Sequence, residues 1–111
     1  MKKLMGLQEI VKGMSGKPMT LEGEELNSAK VIAHFLASAH NKSAKQDFKC
    51  RKLAERFFSH EADDILLENG EHDVIKESIE QNGPGFTAFV RGQISDLAEN
   101  ATDVKVEEKK E

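Results

Sequence analysis

The stretch from Ser43 to Phe58, SAKQDFKCRKLAERFF, constrains the fold more than any other part of the chain. Cys50, Leu53, Ala54 and Phe57 recur at i, i+3, i+4 and i+7, which draws one apolar stripe along a helix. Lys45, Lys49, Lys52 and Arg56 recur at i, i+4, i+7 and i+11, a basic stripe on another side of the same cylinder. Such a helix needs an apolar layer against one face and water or carboxylates against the other. The remaining sequence supplies candidates for both.

The apolar layer comes from three further segments. After the acidic approach Leu21–Leu26, Asn27 or Ser28 can cap a helix carrying Val31, Ile32, Phe35, Leu36 and Ala39 on one face and running to His40. Asn41-Lys42 is the turn, and Ser43 with Gln46 reads as a capping box opening the central helix. Residues 59–70 hold the short apolar run Ile65-Leu66-Leu67, a loop with some strand character. A third helix is expected from Glu71 to Gln81, with Val74, Ile75 and Ile79 inward, stopped by Asn82-Gly83-Pro84-Gly85. A fourth is expected from Phe86 to Ala98, with Phe86, Phe89, Val90, Ile94 and Leu97 on one face. Within residues 1–20, Leu4, Leu7, Val11 and Met14 have helical spacing, but Gly6, Gly13 and Ser15-Gly16-Lys17-Pro18 interrupt it. A short helix and a loose strand pair both fit there.

The expected fold is mainly α: a compact four-helix bundle-like domain over residues 21–98. An N-terminal arm or short hairpin over 1–20 leaves a small β element open, and the charged residues 99–111 read as a disordered tail. With 111 residues this is one domain around one core. The single cysteine rules out an intrachain disulfide and a cysteine-based zinc site, which fits a cytoplasmic protein. The N-terminus is too short and polar for a signal peptide, and no apolar run is long enough to span a membrane.

The chemistry-bearing residues point away from catalysis. There is no phosphate-cradling glycine loop, no Gly-x-Ser-x-Gly elbow and no His paired with Cys50, which falls on the apolar stripe as an inert thiol. His34, His40, His60 and His72 form no i, i+3 or i+4 pair, so neither metal nor other cofactor is expected. The carboxylates around His60 (Glu61, Asp63 and Asp64) read as solvent-facing. Gln93 is an amide amid the apolar face of the fourth helix, either hydrogen-bonded within the fold or turned to a partner. Residues 42–56 carry six basic and two acidic side chains, while residues 61–80 carry eight acidic ones and a single lysine. Charge runs of this kind are usually solvated surface. The overall charge of −4 argues against nucleic-acid binding driven by net charge, although the basic row with Phe48 beside it could follow a phosphate backbone and stack a base.

Several residues also carry a resemblance. In order they are Gly16-Lys17-Pro18, an apolar helix, Lys49 through Leu53-Ala54-Glu55, Ile65-x-Leu67, Ile75, and Val90-x-Gly92-Gln93-Ile94-x-x-Leu97. This series resembles small proteins of similar length encoded in bacteriophages and prophages, over residues 16–97. The resemblance implies a small accessory or assembly protein and no particular activity. The expected function is a non-enzymatic protein–protein interaction module. Its partner contacts are expected at Lys45, Lys49, Lys52, Arg56, Phe48 and Gln93, and nucleic acid is the alternative ligand for the basic face.

Overall fold

The computed structural model describes residues 1–41 and 43–104. The elements run β1 (Lys2–Met5), β2 (Thr20–Leu21), β3 (Glu24–Glu25), α1 (Ser28–Ala37), α2 (Ala44–Phe58), β4 (Asp64–Leu67), α3 (Asn69–Gln81), α4 (Ala88–Glu99) and β5 (Thr102–Asp103).

The helices form where the stripes are. Asn27 caps α1, its side chain accepting from the Lys30 amide at 2.9 Å, and Ser43 caps α2 by accepting from the Gln46 amide at 3.1 Å. The α2 stripe Cys50, Leu53, Ala54 and Phe57 is buried, and it packs chiefly on α1, whose Val31, Ile32, Phe35 and Leu36 are buried in turn. Helix α1 ends at Ala37, short of His40. Helix α3 begins at Asn69, two residues before the expected start, because Glu68 and Glu71 form a reciprocal capping box.

The end of α3 shows why its stop signal works. Asn82, not a glycine, takes the left-handed cap position at φ 48°, and its amide both donates to the Phe86 carbonyl (2.9 Å) and accepts from the Phe86 N–H (3.0 Å). Gly83 is needed for space: a Cβ there would overlap the Ser38 carbonyl at the end of α1. Helix α4 starts late, at Ala88. Val90, Ile94 and Ala98 are its buried residues, Phe86 meets Phe35 edge-on at 5.1 Å, and Phe89 is exposed rather than part of the inward face.

The four expected helices are present, but the fold is mainly α only in part, because a three-stranded antiparallel sheet β4-β1-β5 stands where the sequence left room for no more than a small N-terminal β element. The centre of the sheet is β1, where Leu4 pairs with Ile65 and Lys3 with Leu66, so Leu4, Ile65 and Leu67 face the core while Lys3, Met5 and Leu66 face out. The expected tail is likewise corrected at its start. Thr102 and Asp103 pair with Lys3 and Lys2, and Asp103 bridges Lys2 at 2.8 Å. Residues 105–111 of that tail lie outside the described residues. Residues 1–20 take the strand alternative, with Leu4, Leu7 and Val11 fully or nearly fully buried in the common core. Val11, Met19 and Leu26 join by backbone hydrogen bonds into a narrow ribbon. The acidic approach Leu21–Leu26 is part of a hairpin, β2–β3, turned by Glu22 and Gly23, both at positive φ.

Candidate groove between α2 and α3

The outer side of α2 and the first turns of α3 enclose a cleft of about 350 Å³. Its lining from α2 is Phe48, Lys49, Lys52, Leu53 and Arg56, and from α3 and its cap Glu68, Gly70, Glu71 and Val74. The helix periodicity explains this arrangement. Leu53 sits at the border of the buried stripe, so it floors the cleft together with Val74, and the basic row one step round the cylinder forms the rim.

Four of the sequence candidates therefore meet here: Phe48, Lys49, Lys52 and Arg56. Lys45 is exposed one turn earlier on the same helix, and Gln93 lies elsewhere. Phe48 is 59% exposed, and the Lys52 ammonium stands 5.4 Å from its centroid. Among the described residues no carboxylate lies within ion-pair distance of Lys45, Lys49 or Lys52.

Arg56 differs from the three lysines in having partners within the fold. Its guanidinium donates to the Leu66 carbonyl at 2.9 Å and pairs with Glu71 at 3.6 Å. His60 Nε2 meets the Asp64 carbonyl at 2.6 Å, and a carbonyl only accepts, so Nε2 carries the proton. Since the Asp63 carbonyl accepts from Leu7 on the β1 side, the Asp64 and Leu66 carbonyls point from the open edge of β4. Arg56 and His60 close that edge.

Gln93 is hydrogen-bonded within the fold, the first of the two alternatives its position left open. Its amide nitrogen donates to the Lys12 and Phe89 carbonyls, tying the N-terminal ribbon to α4. Beside it, Met5, Glu9, Ile10, Asp96 and Leu97 line another cleft.

Two features escaped sequence reading. Asp63 accepts from the Gly6 and Gln8 amides at 3.3 and 3.1 Å, and the Gln8 side chain donates to the His60 and Ala62 carbonyls and accepts from Asn27. Two of the carboxylates near His60 are thus engaged, Asp63 with these amides and Asp64 with Lys3, while Glu61 is exposed; no metal-holding group of side chains is found among the described residues. The second is His72, buried at the start of α3, whose Nε2 donates to the Ala98 carbonyl at 2.9 Å and holds the end of α4. The only cue to either was a polar residue interrupting an apolar pattern.

Cys50 borders a separate hollow with His40, Asn41 and Asp47. Burial pushes its thiol up, the Asn41 amide at 3.4 Å pulls it back, and the Asp47 and Glu77 carboxylates add to the rise. A thiol held protonated is a poor nucleophile. No described helix is long and apolar enough to cross a membrane. Comparison of the chain with protein-family models, with curated proteins and with solved structures gives no match.

Proposed function

We propose that the protein is a non-enzymatic protein-interaction module and that the α2–α3 groove is its binding face. The observation that carries this is Lys49 and Lys52 beside an exposed Phe48, above the apolar floor of Leu53 and Val74 and continued by Lys45 one turn earlier, with no ion-pair partner for the three lysines among the described residues. A partner fitting it presents carboxylates to the lysines and an apolar side chain to the floor. In keeping with the resemblance in its sequence, the role is that of a phage accessory or assembly factor.

Nucleic acid fits the groove less well. Glu68 and Glu71 form the opposite wall, so a phosphate backbone attracted by one wall meets negative charge on the other. A mixed polypeptide surface tolerates both walls.

A photoreactive phenylalanine analogue at position 48 tests the reading in the native host. A protein adduct is expected, and K45E/K49E/K52E in the same chain should remove it while leaving the far-ultraviolet circular dichroism unchanged. An adduct indifferent to the lysines removes the groove from the account. Steeply salt-dependent binding of the purified chain to DNA or RNA, lost on the same reversal, would replace the protein partner with nucleic acid.

A further inference from the structure

The walls of the groove decide what kind of segment can lie in it. Helix α2 packs on α1, and α3 packs on α1 and α4, while α2 and α3 make little contact with each other. The slot left between them is lined by the side chains of two helices. The backbone groups of those helices are spent inside them, and at the first turn of α3 the Glu68–Glu71 capping box takes up donors. An extended peptide laid on the Leu53–Val74 floor would strip water from its own N–H and C=O groups and find no backbone partner there. A helix brings its backbone hydrogen bonds with it.

Charge sets the second requirement. Glu71, on the α3 bank, already pairs with Arg56 and accepts from the Glu68 N–H, so Arg56 and Glu71 are engaged with each other. Lys49 and Lys52 line the α2 bank with no ion-pair partner among the described residues, and Lys45 continues their row one turn earlier. Along the helix axis the successive steps of this row are about 6 and 4.5 Å. Carboxylates at i, i+4 and i+7 of a helix laid beside it have the same steps. Side chains on one face of a strand recur about every 6.6 Å and fall out of step at the second. The α2 lining runs from Phe48 to Arg56, about 12 Å or slightly more than two helical turns.

We propose that the groove takes an amphipathic α-helix of a partner protein, with carboxylates at i, i+4 and i+7 along one edge of its apolar stripe. This names the class of partner for the binding face proposed above and rests on that reading. The acidic edge lies along Lys45, Lys49 and Lys52, the apolar stripe rests on Leu53 and Val74, and the exposed Phe48 ring covers its side. A helix with lysines along that edge is repelled by the same row, so charge selects the occupant as well as shape.

Synthetic peptides of about 18 residues, held helical by side-chain lactam bridges, are the probes. One carries a leucine stripe edged with glutamates, a second the same stripe edged with lysines, and a third the composition of the first in an order without a stripe. Fluorescence anisotropy with the full-length chain should show binding of the first alone, and the amide signals of Lys49, Leu53 and Val74 should shift with it. K49E/K52E, with unchanged circular dichroism, should weaken that binding about tenfold or more and take the lysine-edged peptide in its place. Equal binding of the stripeless peptide, or no binding of the first up to millimolar concentration, overturns the proposal. So does a wild-type chain that dimerises in sedimentation velocity while K49E/K52E stays monomeric, which would put a second copy in the groove. If no peptide binds and the position-48 adduct still depends on the lysines, the helix is lost and the binding face stands. If the adduct is also missing, both fall.

Discussion

The joint where β1 meets the 60–63 turn and the groove between α2 and α3 are both rich in polar side chains, and they use them in opposite ways. At the joint, Gln8, Asn27 and Asp63 give their hydrogen-bonding groups to one another and to backbone. At the groove, Lys45, Lys49 and Lys52 keep theirs in water although carboxylates stand on the opposite bank. Polar groups satisfied within a fold specify its geometry, whereas exposed ones beside an exposed aromatic ring leave the geometry untouched when they are changed. Substitutions in the two regions should separate stability from association.

The largest effect is expected at the joint. Gln8→Ala leaves the Asn27 amide and two carbonyls without their partner, and about 2 kcal/mol of stability should be lost in urea unfolding. Lys49→Ala should stay within about 0.5 kcal/mol of wild type, as surface changes do. Equal losses from the two would erase the distinction.

Arg56 and Lys52 carry the comparison onto a single helix face. Arg56→Ala removes a bond to the β4 edge and a pair with Glu71, so a loss of about 1 kcal/mol is expected, with faster amide exchange along Asp64–Leu67. Lys52→Ala should leave both quantities unchanged and weaken association instead. If Arg56→Ala is silent in exchange, the edge is held by His60 alone.

How much of this was legible follows from the range of each interaction. The stripes of α1 and α2 and the caps Asn27 and Ser43 are written within a few residues of themselves, so periodicity found them. The basic row was visible for the same reason. The sheet was not, because β1 and β4 have four residues each, β5 has two, and Lys2 pairs with Asp103 from the other end of the chain. Gln8 and Asp63 looked like solvent-facing polar residues since their partners lie more than fifty positions apart in sequence. Arg56 has the spacing of the free lysines, and only the position of β4 shows that it is engaged. Local signals thus located the groove's cationic rim, and the tertiary contacts decided which cations remain available.

Cys50 sharpens the contrast on the buried side of α2. Burial, the leading cause, raises its thiol, so the unfolded chain loses that proton first. The stabilising contribution is complete below the ordinary thiol value and is lost as pH climbs through the raised folded one. Cys50→Ala should flatten the alkaline limb of the stability curve, and native Cys50 should react with iodoacetamide far more slowly than the urea-unfolded chain. Equal rates would place the thiol at the surface.

The smallest effect belongs to Asp103, at the far end of the sheet. The Lys2 ammonium, by hydrogen bond first and by charge second, holds this carboxyl below the usual aspartate range. Because the folded value is depressed, the link is intact above the ordinary value of about 3.9 and fades as pH falls through the lower one. The pair is open to water, so salt should screen it and move the titration back toward the ordinary value. Carboxyl chemical shifts followed through an acid titration should place Asp103 below the ordinary aspartate value, and Lys2→Met should return it toward that value. An Asp103 that titrates at the ordinary value in the wild-type chain would mean that β5 is held by its backbone pairing with β1 alone, and that the charges at this end of the sheet stand as free as the lysines on the rim of the groove.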